Sequence, residues 1–307
     1  MSLRVIFLGT AGSIPTPKRN LPAIVIRRKE ELFLFDCGEG IQRQMIQAKI
    51  GFHRKTKIFI THLHGDHILG LPGLFQTMSL WNRRNKLEIH GPQGIKAFVD
   101  AMNQTIQFTL TFPIEIFEIT NSGVICKEKQ YEVYAVWADH SVQSLAYALI
   151  EKPRPGKFFP EKARSIGVPE GPLWSKLQQG YPIELSNGRI VQPEEVVGPL
   201  RLGRKIVYTG DTKPSEDIIK LADKADLLIH EATFSDELQE RAQKDKHSTP
   251  SQAAKVAKKA MVKKLVLTHI SARYKDPNIL LEQAKKIFPI VSVAEDFMRI
   301  NIPLSGY

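Results

Sequence analysis

Apolar residues recur along the chain in short runs that close on Gly, His or Asp. Residues 4–8, 23–27, 32–36, 57–61, 86–90, 131–138, 144–151, 205–209, 225–230, 264–268 and 298–302 are rich in Val, Ile, Leu and Phe and have the length of strands. Between them, 40–48, 94–104, 215–222, 235–243, 249–259 and 277–288 carry helical spacing. Thr249-Pro250-Ser251-Gln252 reads as a helix start, a capping hydroxyl followed by Pro at the first helical position. Strands interleaved with helices, strands in the majority, predict a layered α/β (α+β) domain.

Residues 151–198 break this rhythm. They hold Pro153, Pro155, Gly156, Pro160, Gly167, Pro169, Gly171, Pro172, Gly180 and Pro182. Connections in compact domains are short, so this stretch reads as an inserted flexible arm on a single domain spanning 1–307. Phe158, Phe159, Trp174, Leu177 and Tyr181 predict a small hydrophobic cluster of its own. Lys152, Arg154, Lys157, Lys162 and Arg164 give it a basic face.

Composition excludes several classes. No apolar run approaches the ~20 residues of a membrane span. The start reads as a first strand rather than a signal peptide. Cys37 and Cys126 are too few for a disulfide framework. A cytoplasmic protein without a membrane partner is expected. The net charge of +11 favours a polyanionic partner where it gathers near a site. Lys enrichment of the thermophile kind is the alternative source of that charge.

The chemistry concentrates after the apolar run 57–61. His62, His64, Asp66 and His67 follow it, three of the chain's 9 histidines within six positions. Imidazole and carboxylate are the usual partners of zinc and related divalent metals. One loop cannot complete two sites, so further ligands should stand at other strand ends. His140, Asp211 and His269 each lie just beyond an apolar run, where an α/β scaffold places its chemistry.

In its His-x-His-x-Asp-His run, its later His, its Gly210-Asp211-Thr212 and its Thr268-His269, the chain resembles the metallo-β-lactamase superfamily. The resemblance implies an αββα sandwich with two zinc ions at one edge. One would be held by His62, His64, His140 and Asp211, the other by Asp66, His67, Asp211 and His269. Asp36 would orient a histidine from behind.

Smaller motifs narrow the resemblance. His230-Glu231-Ala232-Thr233, His247-Ser248-Thr249 and His269-Ile270-Ser271-Ala272-Arg273-Tyr274 are similar to motifs of the ribonuclease Z (tRNase Z) family, the tRNA 3′-processing endonucleases. Gly167-x-Pro169-x-Gly171-Pro172 resembles the Gly-Pro motif of that family's tRNA-gripping arm, in its short form. The resemblance implies a precursor-tRNA substrate, cleavage 3′ of the discriminator nucleotide leaving a 3′-hydroxyl, and a homodimer. Pro15-Thr16-Pro17-Lys18-Arg19-Asn20 matches the family's loop for the RNA 3′ end, with Pro17 where Lys is common. Lys18, Arg19, Asn20 and Arg273 are expected to contact substrate.

A leaving 3′-oxygen needs a proton. His247 raised by Glu231 is the expected donor, and Asp66 the group that accepts or orients the nucleophile's proton. Two other functions compete: a hydrolase of the same fold acting on small phosphodiesters or other esters, and a non-catalytic nucleic-acid-binding protein. The basic arm and the Glu231 motif weigh against the first, the full ligand set against the second.

Overall fold

The structure is a computed structural model and describes residues 3–304. Two seven-stranded sheets form its main body. The first runs, in spatial order, Arg299–Asn301, Leu3–Gly9, Ala23–Arg28, Glu31–Phe35, Lys55–Phe59, Leu87–Pro92 and Ile114–Ile119. The second runs Val291–Val293, Leu265–Thr268, Leu227–Glu231, Lys205–Tyr208, Ser144–Glu151, Tyr131–Ala138 and Gly123–Lys127. In the first sheet the four strands from Glu31–Phe35 outward pair in parallel. In the second the four from Lys205–Tyr208 to Val291–Val293 do so.

Period-two alternation sorts each strand's side chains into layers. Leu3, Val5 and Phe7 join Phe33, Phe59, Tyr147 and Ile229 in the core between the sheets. Ile6 and Leu8 face the other way, onto the helices Ile41–Gln47, Leu71–Leu80 and Ile95–Thr105. The far face of the second sheet is covered by Glu216–Ala222 and Pro250–Lys259 through Ile218, Ala253, Ala254 and Ala257. The layers are therefore helix, sheet, sheet, helix, and every predicted strand and helix is present. Thr249 caps its helix as expected, accepting from the Gln252 amide.

Some elements differ from expectation. The helix Leu71–Leu80 opens on Leu71-Pro72-Gly73, which by residue type reads as a turn. Here Pro sits in the first turn, where its missing N–H costs nothing. The strand Ile114–Ile119 closes one edge of its sheet and is half exposed, so it lacks a continuous apolar run.

Glu151–Arg204 forms a second compact unit. It contains the helices Pro160–Ser165, Pro172–Gln178 and Pro193–Val196 and a hairpin of Ile183–Glu184 with Ile190–Val191. Ala163, Val168, Leu177, Ile183, Val191 and Val196 form its core, with Phe158 packed against Trp174. Tyr181, expected in that cluster, is instead 63% exposed. Gly167 and Gly171 take positive φ, and the helix beginning at Pro172 follows directly. The chain enters and leaves through a buried ion pair, Glu151 with Arg204 at 2.7 Å and 2.9 Å.

Candidate metal centre

The parallel strands end together, and the polar residues predicted at those ends meet there. Asp36 stands behind them, fully buried, in a left-handed backbone conformation with φ of 57°. Its Oδ1 accepts from the Thr61 amide at 2.8 Å, and its Oδ2 accepts from Tyr208 OH at 2.8 Å and His67 Nδ1 at 2.7 Å. The chain leaving Lys55–Phe59 is thus turned so that His62 and His67 point into one space. Gly210 makes the opposing turn with φ of 59°, and a Cβ there would lie 2.7 Å from Thr61 Cγ2. Gly12 has a related role: a Cβ would lie 2.7 Å from His269 Nδ1.

Among the described residues, ligand atoms converge in five overlapping groups, two of which include His247, and two of the five match the expected halves of the centre. His62, His64 and His140 form one, with His64 Nδ1 at 3.0 Å from His62 Nε2 and 3.4 Å from His140 Nε2. Asp66, His67 and His269 form the other, with Asp66 Oδ2 at 3.5 Å and 3.4 Å from the two Nε2 atoms. Asp211 Oδ2 lies between the groups, 3.8 Å from His62, 3.5 Å from His67 and 3.2 Å from His269.

The far side of each ring fixes its tautomer. His67 Nδ1 donates to Asp36, His140 Nδ1 to the Lys246 carbonyl at 3.0 Å, and His269 Nδ1 to Thr233 Oγ1 at 2.8 Å. The Nε2 atoms of His67 and His269 are left bare toward the centre, the state a metal requires, while His140 Nε2 faces His64 Nδ1 at 3.4 Å and Ser141 Oγ at 3.3 Å. His67 Nε2, His269 Nε2 and Asp211 Oδ1 are buried with no hydrogen-bond partner among the described residues. Unpartnered buried polar atoms cost ~1–3 kcal/mol each, so their convergence fits a bound cation. The donor set of imidazoles and carboxylates suits zinc and its neighbours.

Beside this centre lies a second pair. Glu231 is buried, its Oε1 accepting from the Thr212 amide and its Oε2 from Thr233 Oγ1 and amide. His247 Nδ1 sits 2.8 Å from Glu231 Oε1 and 4.0 Å from Asp211 Oδ2. Burial works against a charged imidazole, but Glu231, and then Asp211, lift its pKa to about 9. Burial likewise opposes the Glu231 carboxylate, and His247 holds its pKa below the usual range. Glu231 is buried and His247 half-buried. His230, next to Glu231, is fully buried and donates from Nδ1 to the Glu231 carbonyl.

The other predicted contacts fall differently. Lys18 is exposed at a loop tip. Arg19 turns its guanidinium inward, onto Thr10 Oγ1 at 2.7 Å and the Ala294 carbonyl at 2.5 Å, so it braces the loop where a phosphate contact was expected. Asn20 is likewise held, its side chain donating to the Glu39 carbonyl. Arg273 is exposed and lies over the Phe234 ring. Gly167, Pro169, Gly171 and Pro172 belong to the second unit. Sequence reasoning missed Thr233 and Tyr208, whose hydroxyls orient His269 and Asp36; neither residue type signals that role alone.

Known proteins resemble this chain over nearly its whole length. Residues 3–105 match a family model described as Anti-Pycsar protein Apyc1, and residues 181–270 match one described as Beta-lactamase superfamily domain. A curated ribonuclease Z from Methanosarcina acetivorans is 50% identical over 302 residues, covering 98% of each chain. One from Myxococcus xanthus is 44% identical and covers 98% of each. Among solved structures, human tRNase Z, short form, superposes with a TM-score of 0.73 at 33% identity, covering 98% of this chain and 100% of that one. A metallo-beta-lactamase fold protein, YhfI from Bacillus subtilis, superposes with a TM-score of 0.69 at 17% identity over 98% of this chain and 99% of that one, a likeness of fold alone.

Proposed function

The chain belongs to the ribonuclease Z family, and from that membership and the geometry above we propose how it acts and which residues do the work. It is a metal-dependent endoribonuclease that processes the 3′ end of precursor tRNA. In the finer reading it binds two zinc ions, one held by His62, His64 and His140, one by Asp66, His67 and His269, with Asp211 shared. The observation that carries this is the single Asp211 oxygen lying between two ligand groups beside buried nitrogens that lack partners. Zinc bound there would supply Lewis-acid charge to the phosphoryl oxygens and bring the pKa of water down to ~7.

The protein's own groups do the rest. Asp66, fixed by the Ser13 amide at 2.9 Å, orients the attacking water and accepts its proton. Hydroxyl oxygen bonds to phosphorus, the bond from phosphorus to the discriminator's 3′-oxygen breaks, and that oxygen takes a proton. His247 supplies it: Nδ1 is committed to Glu231, so the proton travels from Nε2. The products are a 3′-hydroxyl and a 5′-phosphorylated trailer.

The unit Glu151–Arg204 is the arm that grips tRNA, through the Gly167–Pro172 turn and its basic face. The enzyme works as a homodimer in the cytoplasm; among the described residues no helix is long and apolar enough to cross a membrane. Incubation with 3′-extended precursor tRNA, with product ends mapped and metal content measured, tests the reading. Cleavage after the discriminator with about two zinc ions per chain is expected. Cleavage elsewhere, or activity in metal-free protein, would overturn it. Deletion of residues 155–185 should weaken pre-tRNA cleavage and spare a small phosphodiester; equal loss of both would refute the arm's role.

A further inference from the structure

One carboxylate outside the chemistry holds together four separate segments. Asp296 Oδ1 accepts from Thr10 Oγ1 at 2.7 Å, and its Oδ2 accepts from the Asn20 amide at 2.7 Å and Gln44 Nε2 at 2.9 Å. Thr10, with its hydroxyl proton given to Asp296, accepts in turn from Arg19. Gln44, 8% exposed, also donates to the Leu8 carbonyl. The loop between Ser13 and Asn20 is therefore tied at its base on both sides. Its tip closes on itself, with Thr16 and Arg19 exchanging backbone hydrogen bonds at 2.8 Å and 3.2 Å. Pro17 and Lys18 are exposed at this tip, and Pro17 restricts it further.

The tied loop divides the surface. On one side a groove of about 690 Å³ runs between the tip and the segment after His269, including Ser271, Tyr274 and Lys275. On the other, a groove of about 500 Å³ runs against Gly40, Arg43 and Gln47. Thr16 to Arg19 and Asp296 line both. Ser13, outside the Thr16–Asn20 segment, makes its own amide bond to Asp66.

We infer that Asp296 is a positioning residue that presets the Thr16–Asn20 loop as a ridge between two grooves, and that it governs the seating of RNA rather than the bond-breaking step. The inference rests on the tRNA-processing reading. A loop already ordered spares the complex the entropy of ordering it, so its release should appear in KM. A carboxylate is needed because three donors converge on it. Asn in its place would turn an NH2 group toward donors and lose the charge beside Arg19.

The test compares Asp296→Asn and Arg19→Met with the wild type. Steady-state cleavage of a precursor tRNA, hydrolysis of bis(p-nitrophenyl) phosphate, metal content and amide exchange of residues 16–20 are measured. Both variants should raise KM for the RNA about tenfold, leave kcat and small-diester turnover within about twofold, and keep their metal. Amide exchange in the loop should quicken by about tenfold or more. Faster exchange with unchanged KM would overturn the inference, as would parallel loss of RNA and small-diester turnover. If Asp296→Asn fails to fold, Arg19→Met reads the same loop with the carboxylate intact. A wild type that does not cut precursor tRNA would instead sink the functional reading beneath it.

Discussion

Glu231, buried, and His247, half-buried, meet with Oε1 to Nδ1 at 2.8 Å, and Thr233 Oγ1 is bonded to the carboxylate at 2.7 Å. The pair stands next to the ligand groups without belonging to the six imidazoles and carboxylates assigned around Asp211. Removing the imidazole should therefore stop proton delivery and leave the metal in place. His247→Ala is expected to lower kcat on precursor tRNA ~10²–10⁴-fold while metal content and RNA affinity hold. Loss of metal in this variant would make His247 a ligand and refute the assignment.

The same pair sets a pH dependence. With His247 as the proposed proton donor, its protonated form is the active one, and kcat should fall as pH rises through its pKa. Glu231 lifts that pKa toward about 9, and the charge of bound metal ions draws it back down. Glu231→Gln removes the lifting charge, so the basic limb of the kcat profile should move to lower pH. A basic limb that stays where the wild type has it would point to another proton donor.

Asp211 lies within 3.8 Å of three imidazole nitrogens from two ligand groups. Asp211→Asn should empty at least one metal position and cut activity at least ~100-fold, since even groups that only orient ligands are worth 10–100-fold. Metal analysis alongside kinetics checks this. Chelation should also lower the melting temperature of the wild type, because it uncovers buried groups that lack partners. A chelated protein that melts unchanged would mean the site holds no stabilising ion.

Stability far from the site hangs on Arg83, fully buried, whose guanidinium donates to the carbonyls of Phe52, Arg54, Asn85 and Lys86. Burial alone depresses its pKa to about 10, so it stays charged, and it lies over the Phe112 ring. Arg83→Met strands those carbonyls and should cost roughly 3–5 kcal/mol in denaturant unfolding. Arg83→Lys should recover little, because an ammonium has three donors and no fork. A midpoint within error of the wild type would show that water replaces the guanidinium.

His90 stacks between Phe59 and Phe117, 3% exposed, with centroids 5.0 Å and 4.7 Å away. Burial, then Lys57, press its pKa from 6.5 down to about 4. The fold thus holds it neutral while the unfolded chain protonates near 6.5. Stability should fall as pH drops below that value and go on falling toward about 4. His90→Phe keeps the stack and removes the titration. Between neutrality and pH 5 the wild type should lose about 2 kcal/mol more than the variant. Equal losses in both would place the acid sensitivity in other groups.

Much of the centre was legible because its chemistry is dense or stands at strand ends. His62 to His67 crowd one loop, and His140, Asp211 and His269 each follow an apolar run. The four-layer fold followed from the same runs. What escaped reading depends on partners far along the chain. Asp296 joins Thr10, Asn20 and Gln44 across 286, 276 and 252 residues, and no local pattern announces it. Arg19 matched a motif, yet Thr10 and Ala294 decide where its guanidinium points. The strand Ile114–Ile119 and the helix Leu71–Leu80 escaped because edge exposure and an early Pro-Gly pair blur the apolar signal.

The order of the ligands along the chain has a consequence for the protein's own birth. His62 is made before Asp211, and Asp211 before His269. Until both sheets have closed, the first loop offers a cation three imidazoles and no shared carboxylate. A chain that has not yet made Asp211 and His269 lacks the full ligand set proposed above.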